Sequence, residues 1–323
     1  MNTGQVPSFL PLRLRMEQGM IKLQWLNVND IDLSEPFFDN NLIRNMVKLS
    51  SSVRESDLIG LYNSPKGINS LDPNGFIFHM SRCGSTLISN LLRVKQDCIV
   101  MSEPEILDEI CKLLRDDNYS YVAQLYRNAI HSFGQCRMGT ERSYVIKYPS
   151  YSTLALPLIT ELFPSVPRLF LYRDPVEVLV SNMNQPHQEW IYWNQLVGQS
   201  MLEIAEQNTP LENCAMALKN TCENFLKHYN SAQCLVVNYA DLTNRASLDY
   251  FMRTVMNKFN IVFTEQDIAQ MLAESNQDAK QTGKEFASDS TRKGNSASVK
   301  LREIAHTHLT PVYDQLERLA LRF

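Results

Sequence analysis

From about Asn74 onward the chain alternates short, wholly apolar runs with longer amphipathic stretches. The apolar, β-rich runs are GFIFHM at 75–80, CIVM at 98–101, SYVIK at 143–147, RLFLY at 168–172 and CLVVNY at 234–239. Between them, LISNLLR, EILDEICKLLR, YVAQLYRNAIHSF, LALPLITELF and PVEVLVSNM carry apolar residues at helical spacing, and a long helical stretch covers about 190 to 229. Strands without an alternating polar face need cover on both sides. The pattern therefore predicts a parallel sheet between two helical layers, a three-layer α/β/α architecture with right-handed crossovers. The last third is helical: LDYFMRTVMNKF, EQDIAQMLAE and a final helix over 297–321 with Leu301, Ile304, Val312, Leu316 and Leu319 facing inward.

Residues 1–70 break this rhythm. KLQWLNV reads as a short strand, and SEPFFDNNLIRNMVKL as a turn and an amphipathic helix with Leu42, Ile43, Met46 and Val47 inward. These residues are expected to form an extension or small substructure packed on a main domain over 71–323. The polar run SNQDAKQTGKEFASDSTRKGNSAS, 275–298, reads as a long loop, of a length that in a compact domain is usually functional or disordered.

Composition narrows the function classes. With 323 residues, 44% of them hydrophobic and a net charge of −4, the chain has material for a large core and no global basic character. Nucleic acid is therefore not an expected partner, and any anion site must be local. No run approaches the roughly 18–20 apolar residues of a membrane span, and no secretory signal is evident. A cytoplasmic protein without membrane attachment is expected. Seven scattered cysteines without a C-x-x-C pair read as reduced, buried thiols. The histidines do not cluster at metal-ligand spacing, and no metal is expected.

The first chemical signal is GFIFHMSRCGST, 75–86. A strand running into a small-residue turn that opens a helix aims several backbone N–H groups at one point, and the helix dipole adds positive charge there. Gly84 permits close backbone approach, Ser85 and Thr86 supply hydroxyls, and Arg82 supplies a fixed charge. A triphosphate loop of the form G-x-x-x-x-G-K-[ST] is not matched, because His79 stands where the first glycine would be and Ser85 where the lysine would be. Taken alone, the turn fits either an anion site or a plain strand-to-helix connection. The second signal is YRDPVEVLVSNM, 172–183. Pro175 suits a first helical turn, Arg173 at a strand end can grip a phosphate bidentately, and Ser181 lies two turns along the same helix.

Together these segments resemble the sulfotransferase family. Arg82, Cys83, Gly84, Ser85 and Thr86 match, in order, its 5′-phosphosulfate loop. Arg173 and Ser181 match its 3′-phosphate pair, a serine eight positions after the arginine. VIKYPSYSTLALPLITELFP, VVNYADL and TRKGNSA resemble further family segments in the right order, so the resemblance spans about 73 to 320. It implies a P-loop-like α/β domain with a helical C-terminal part. Such a domain would move a sulfuryl group from 3′-phosphoadenosine 5′-phosphosulfate (PAPS) to an acceptor hydroxyl, releasing PAP without a metal.

Roles follow from the resemblance. Arg82 and Lys147 would be the catalytic cations at the leaving phosphate. Cys83, Gly84, Ser85 and Thr86 would line the 5′-phosphate site, and Arg173 and Ser181 would hold the 3′-phosphate. Tyr239 would line the nucleotide pocket, and Arg292, Lys293 and Gly294 would close over it. The histidine of the small-molecule sulfotransferases, two residues after the strand-end lysine, is replaced by Pro149. Protein-tyrosine sulfotransferases instead use a glutamate about twenty residues past the loop. Here Glu103, twenty-one after Arg82, takes that position, whereas Glu105 suits a first helical turn. His79 and His187 are the reserve bases, and His79, His187 and Trp190 are candidate acceptor contacts. The acceptor could be a small molecule, a sugar or a peptide, and the expected setting is a bacterial cytoplasm. A magnesium-dependent small-molecule kinase and a non-catalytic nucleotide-binding protein are the competing classes.

Overall fold

The computed structural model describes residues 9–28, 38, 53–64, 66–67, 69–184, 208–276 and 296–321. Among them, a central parallel five-stranded sheet is flanked by helices, with the order β5-β6-β4-β7-β8. Its strands are β4 (Gly75–His79), β5 (Cys98–Ser102), β6 (Ser143–Lys147), β7 (Arg168–Tyr172) and β8 (Cys234–Asn238). Each apolar run of the sequence became one strand. Nearly every residue in these strands is buried, as a sheet covered on both faces requires. The chain leaves β4 toward β5 and β6 on one side and later toward β7 and β8 on the other. The carboxyl end of β4 therefore stands at the reversal of strand order, the usual place for a ligand in this architecture.

The described residues divide into two compact units, Met1–Asn74 with Lys95–Ile146, and Gly75–Val94 with Lys147–Phe323. In the first unit, β1 (Phe9–Glu17), β2 (Met20–Asn27) and β3 (Val53–Asp57) form an antiparallel sheet beside α1 (Leu58–Tyr62). The sequence pattern foresaw β2 alone. β1 and β2 form a hairpin because Gln18 and Gly19 both take positive φ, 48° and 78°, the left-handed pair that matches the strand twist. β3, VRESD, is too polar to announce itself, and its residues are half-buried or exposed. The helix expected around Leu42–Val47 lies outside the described residues. The unit also holds α3 (Glu105–Cys111) and α4 (Tyr119–Phe133), which pack on each other and on β1. The backbone N–H of Leu14 donates to Glu109 at 2.5 Å and pins β1 to α3.

The second unit contains α2 (Ser85–Val94), a 3-10 turn (Ser150–Ala155), α5 (Leu156–Leu162), α6 (Pro175–Asn184), α7 (Pro210–Lys227), α8 (Arg245–Lys258), α9 (Glu265–Glu274), α10 (Val299–His308) and α11 (Thr310–Leu319). The single final helix expected over 297–321 is in fact two. Pro311 cannot donate to the carbonyl four residues back, and its ring crowds that turn, so the helix stops near Leu309 and restarts. Leu301, Ile304, Val312 and Leu316 are buried as expected. No helix among the described residues is long and apolar enough to cross a membrane.

Gly75 opens β4 where a Cβ would lie 2.4 Å from the buried ring of Phe259. Gly75→Ala is expected to lower unfolding free energy by about 1–3 kcal/mol, the usual cost of overpacking. The midpoint of a denaturant titration checks it, and an unchanged midpoint would mean that α8 shifts freely.

Candidate active site

β4 ends at His79, and the next residues leave the strand by left-handed steps. Ser81, Arg82 and Gly84 have φ of 77°, 51° and 83°. Positive φ at such a turn is the backbone feature from which anion nests are built, although the N–H of Ser81 is already taken by a side chain. α2 starts immediately afterwards, with Ser85 and Thr86 buried in its first turn. His79 shapes the same turn: its Nδ1 accepts the Ser81 N–H at 3.1 Å. That contact assigns a place to a residue for which the sequence offered only general candidacy.

Arg173 reaches this loop from the end of β7. It is 5% exposed, and four contacts fix it. Its backbone N–H points at the Met80 sulfur at 3.3 Å, and one Nη donates to the Arg82 carbonyl at 3.3 Å. Its Nε and other Nη meet the Glu177 carboxylate at 2.6 and 2.5 Å. Its guanidinium carbon stands 4.2 Å from the centroid of the Tyr239 ring, a cation–π pair. Tyr239 in turn covers Gly84, where a Cβ would lie 2.7 Å from the ring. Gly84 is thus needed twice, for its positive φ and for the space the tyrosine occupies. Glycine, arginine and tyrosine, each singled out in the sequence, form one contact chain. Glu177 escaped notice there, although its i,i+4 spacing from Arg173 was a legible signal.

Cys83 points away from the nest, its thiol 3.1 Å from the Leu171 carbonyl oxygen. Burial pushes its pKa up to about 12, against the opposite pull of Arg173 and Lys147. The thiol therefore stays protonated and packs as a small residue. The same electrostatic coupling brings the Lys147 charge to the loop. Lys147 is the last residue of β6 and is only 1% exposed, a burial that lysines adopt when they are paired. Ser181 lies on α6, buried and two turns beyond Arg173.

In the other unit, Glu103 follows the last residue of β5 and takes φ 54°. A non-glycine residue in that conformation costs about 1–3 kcal/mol, and Gln18 and Asn260 take the same sign of φ. Glu105 occupies the first turn of α3, as its sequence position suggested. His187, Trp190, Arg292, Lys293 and Gly294 lie outside the described residues.

A family model described as "Sulfotransferase family" matches residues 73–265. Among solved structures, the chain is similar to a sulfotransferase from Alicyclobacillus acidocaldarius, at 14% identity over 78% of this chain and 97% of that one, with a TM-score of 0.47. It is also similar to a mouse sulfotransferase complexed with PAP, at 12% identity over 80% and 91%, with a TM-score of 0.43. A third is a sulfotransferase from Mycobacterium avium, at 16% identity over 86% and 83%, with a TM-score of 0.44. No curated protein sequence matches the chain.

Proposed function

This chain belongs to the sulfotransferase family, and from that premise we propose that it takes its sulfuryl group from PAPS and passes it to an acceptor hydroxyl. The observation that carries the choice of donor is the pairing of two anion-binding features. A left-handed nest opens α2, and a buried arginine contacts that nest through the Arg82 carbonyl. A donor with phosphates at both 5′ and 3′ positions suits such a pair. Tyr239, packed against both Gly84 and Arg173, would line the nucleotide pocket.

When bound, PAPS would supply an activated sulfuryl group whose bond to a phosphate oxygen breaks as the bond to the acceptor oxygen forms. The nest N–H groups and the hydroxyls of Ser85 and Thr86 would hold the 5′-phosphate. Arg82 and Lys147 would offset the charge left on it, a contribution that needs donors fixed in advance. Burial of Lys147 at a strand end provides that fixity. Arg173 and Ser181 would hold the 3′-phosphate, with Glu177 keeping the guanidinium aimed. Glu103 would take the acceptor proton. Arg292, Lys293 and Gly294 would close on the nucleotide, and His187 and Trp190 would border the acceptor. The acceptor itself is a hydroxyl compound of small-molecule, sugar or peptide type.

Arg173→Ala tests the donor. PAP affinity should fall about 10- to 100-fold, the equivalent of one or two charge-assisted hydrogen bonds, while AMP affinity stays the same. Calorimetric titration of both nucleotides reads this directly. Equal affinity of the unaltered protein for PAP and AMP would remove the 3′-phosphate assignment.

A further inference from the structure

We propose that Glu317, on the last helix, is a positioning residue for the 3′-phosphate half of the nucleotide site, an inference that rests on the donor reading above. One oxygen of its carboxylate accepts two hydrogen bonds, from the Tyr172 hydroxyl at 2.5 Å and from the Asn238 amide at 2.7 Å. Tyr172 and Asn238 are the final register pair of the adjacent parallel strands β7 and β8. Each is followed at once by a residue of the site, Arg173 after Tyr172 and Tyr239 after Asn238. The guanidinium–ring contact at 4.2 Å is therefore set by the relative position of two strand ends. A single carboxylate, 145 residues along the chain from Tyr172, ties those ends together.

The surrounding groups make the tie directional. Asn238 has no freedom to turn its amide, because its Oδ1 accepts the Ala240 N–H at 3.0 Å and so caps the turn that carries Tyr239. Its nitrogen also donates to the Tyr313 hydroxyl at 3.1 Å. The Tyr313 ring meets Tyr172 edge-on at 5.5 Å. Burial and the neighbouring carboxylate both push the Tyr172 hydroxyl up, so it remains a donor at any working pH. A bond from a neutral donor to a partly buried carboxylate is stronger than a neutral pair.

The competing role is structural: Glu317 would merely fasten α11 to the sheet. The two roles differ in what they do to nucleotide preference. Titrations with PAP and with AMP on the full chain decide between them, the readout being the ratio of the two dissociation constants. In Glu317→Leu the PAP affinity should fall by about tenfold, the equivalent of one charge-assisted hydrogen bond, and AMP affinity by no more than about twofold. Glu317→Gln, whose amide oxygen can still accept both bonds, should keep the ratio within about 1.5-fold. Tyr172→Phe removes one donor and leaves the ring packed. It should lower PAP affinity by about threefold and spare AMP, and it decides the matter if the leucine variant does not fold. Loss of PAP and AMP affinity by the same factor, or an unchanged ratio in both Glu317→Leu and Tyr172→Phe, overturns the proposal. A starting protein that does not prefer PAP to AMP overturns the donor reading instead, whatever the variants do.

Discussion

Gly84→Ala is expected to lower stability and to weaken PAP binding by about 100-fold or more, the second because the added methyl group displaces the Tyr239 ring. The backbone there has φ +83°, where an L side chain is strained by about 1–2 kcal/mol. The new Cβ would also lie 2.7 Å from Cδ2 and 2.9 Å from Cε2 of Tyr239, distances that real Cβ atoms do not sustain. The ring must move, and it moves off the Arg173 guanidinium that it faces. Both halves of the phosphate clamp are thereby disturbed at once. Gly139→Ala is the natural control: its φ of +77° carries the same backbone cost, but nothing lies within 4 Å of the added atom. Unfolding midpoints should fall in both variants, whereas PAP affinity measured by calorimetry should collapse only at position 84. Near-normal PAP affinity in Gly84→Ala would mean that the nest does not receive the 5′-phosphate.

The elements that could be read in advance share a physical reason. Five strands buried on both faces announce themselves as unbroken apolar runs, and β4, β5, β6, β7 and β8 begin and end within a residue of the segments seen in the sequence. Arg173 and Gly84 were legible because a strand end followed by Pro175, or by two hydroxyls, is a local pattern. What could not be read was either polar or distant. β3 pairs with β2 through VRESD, whose stability comes from backbone bonds and cross-strand pairs such as Lys22 with Asp57, at 2.5 Å. Glu317 sits on a helix face that looks like any amphipathic surface. Its partners are Tyr172 and Asn238, and only the register of two strands brings those together. Breaking of the last helix at Leu309 was a local signal overridden by a strong apolar period on both sides of Pro311.

Glu103→Gln is the sharpest test of the chemistry. Loss of a general base costs about 10²–10⁴-fold in turnover, and glutamine keeps the size and shape of the side chain, so the loss should fall on the transfer step with PAP affinity unchanged. Labelled PAPS incubated with a metabolite extract gives the transfer readout before the acceptor is known. Backbone geometry supplies an independent arm. At φ +54° Glu103 is strained, and glycine relieves such strain. A glutamate kept for a structural contact of its side chain would lose stability in Glu103→Gly. A base would give the opposite pairing: stability raised by about 1 kcal/mol while transfer is lost. Transfer that persists in both variants would move the proton to another group, and His79 and His187 are then the residues to substitute. Transfer that disappears in both, in proteins that still bind PAP and remain folded, makes the strain at the end of β5 part of the mechanism: a stability cost retained because it aims a carboxylate.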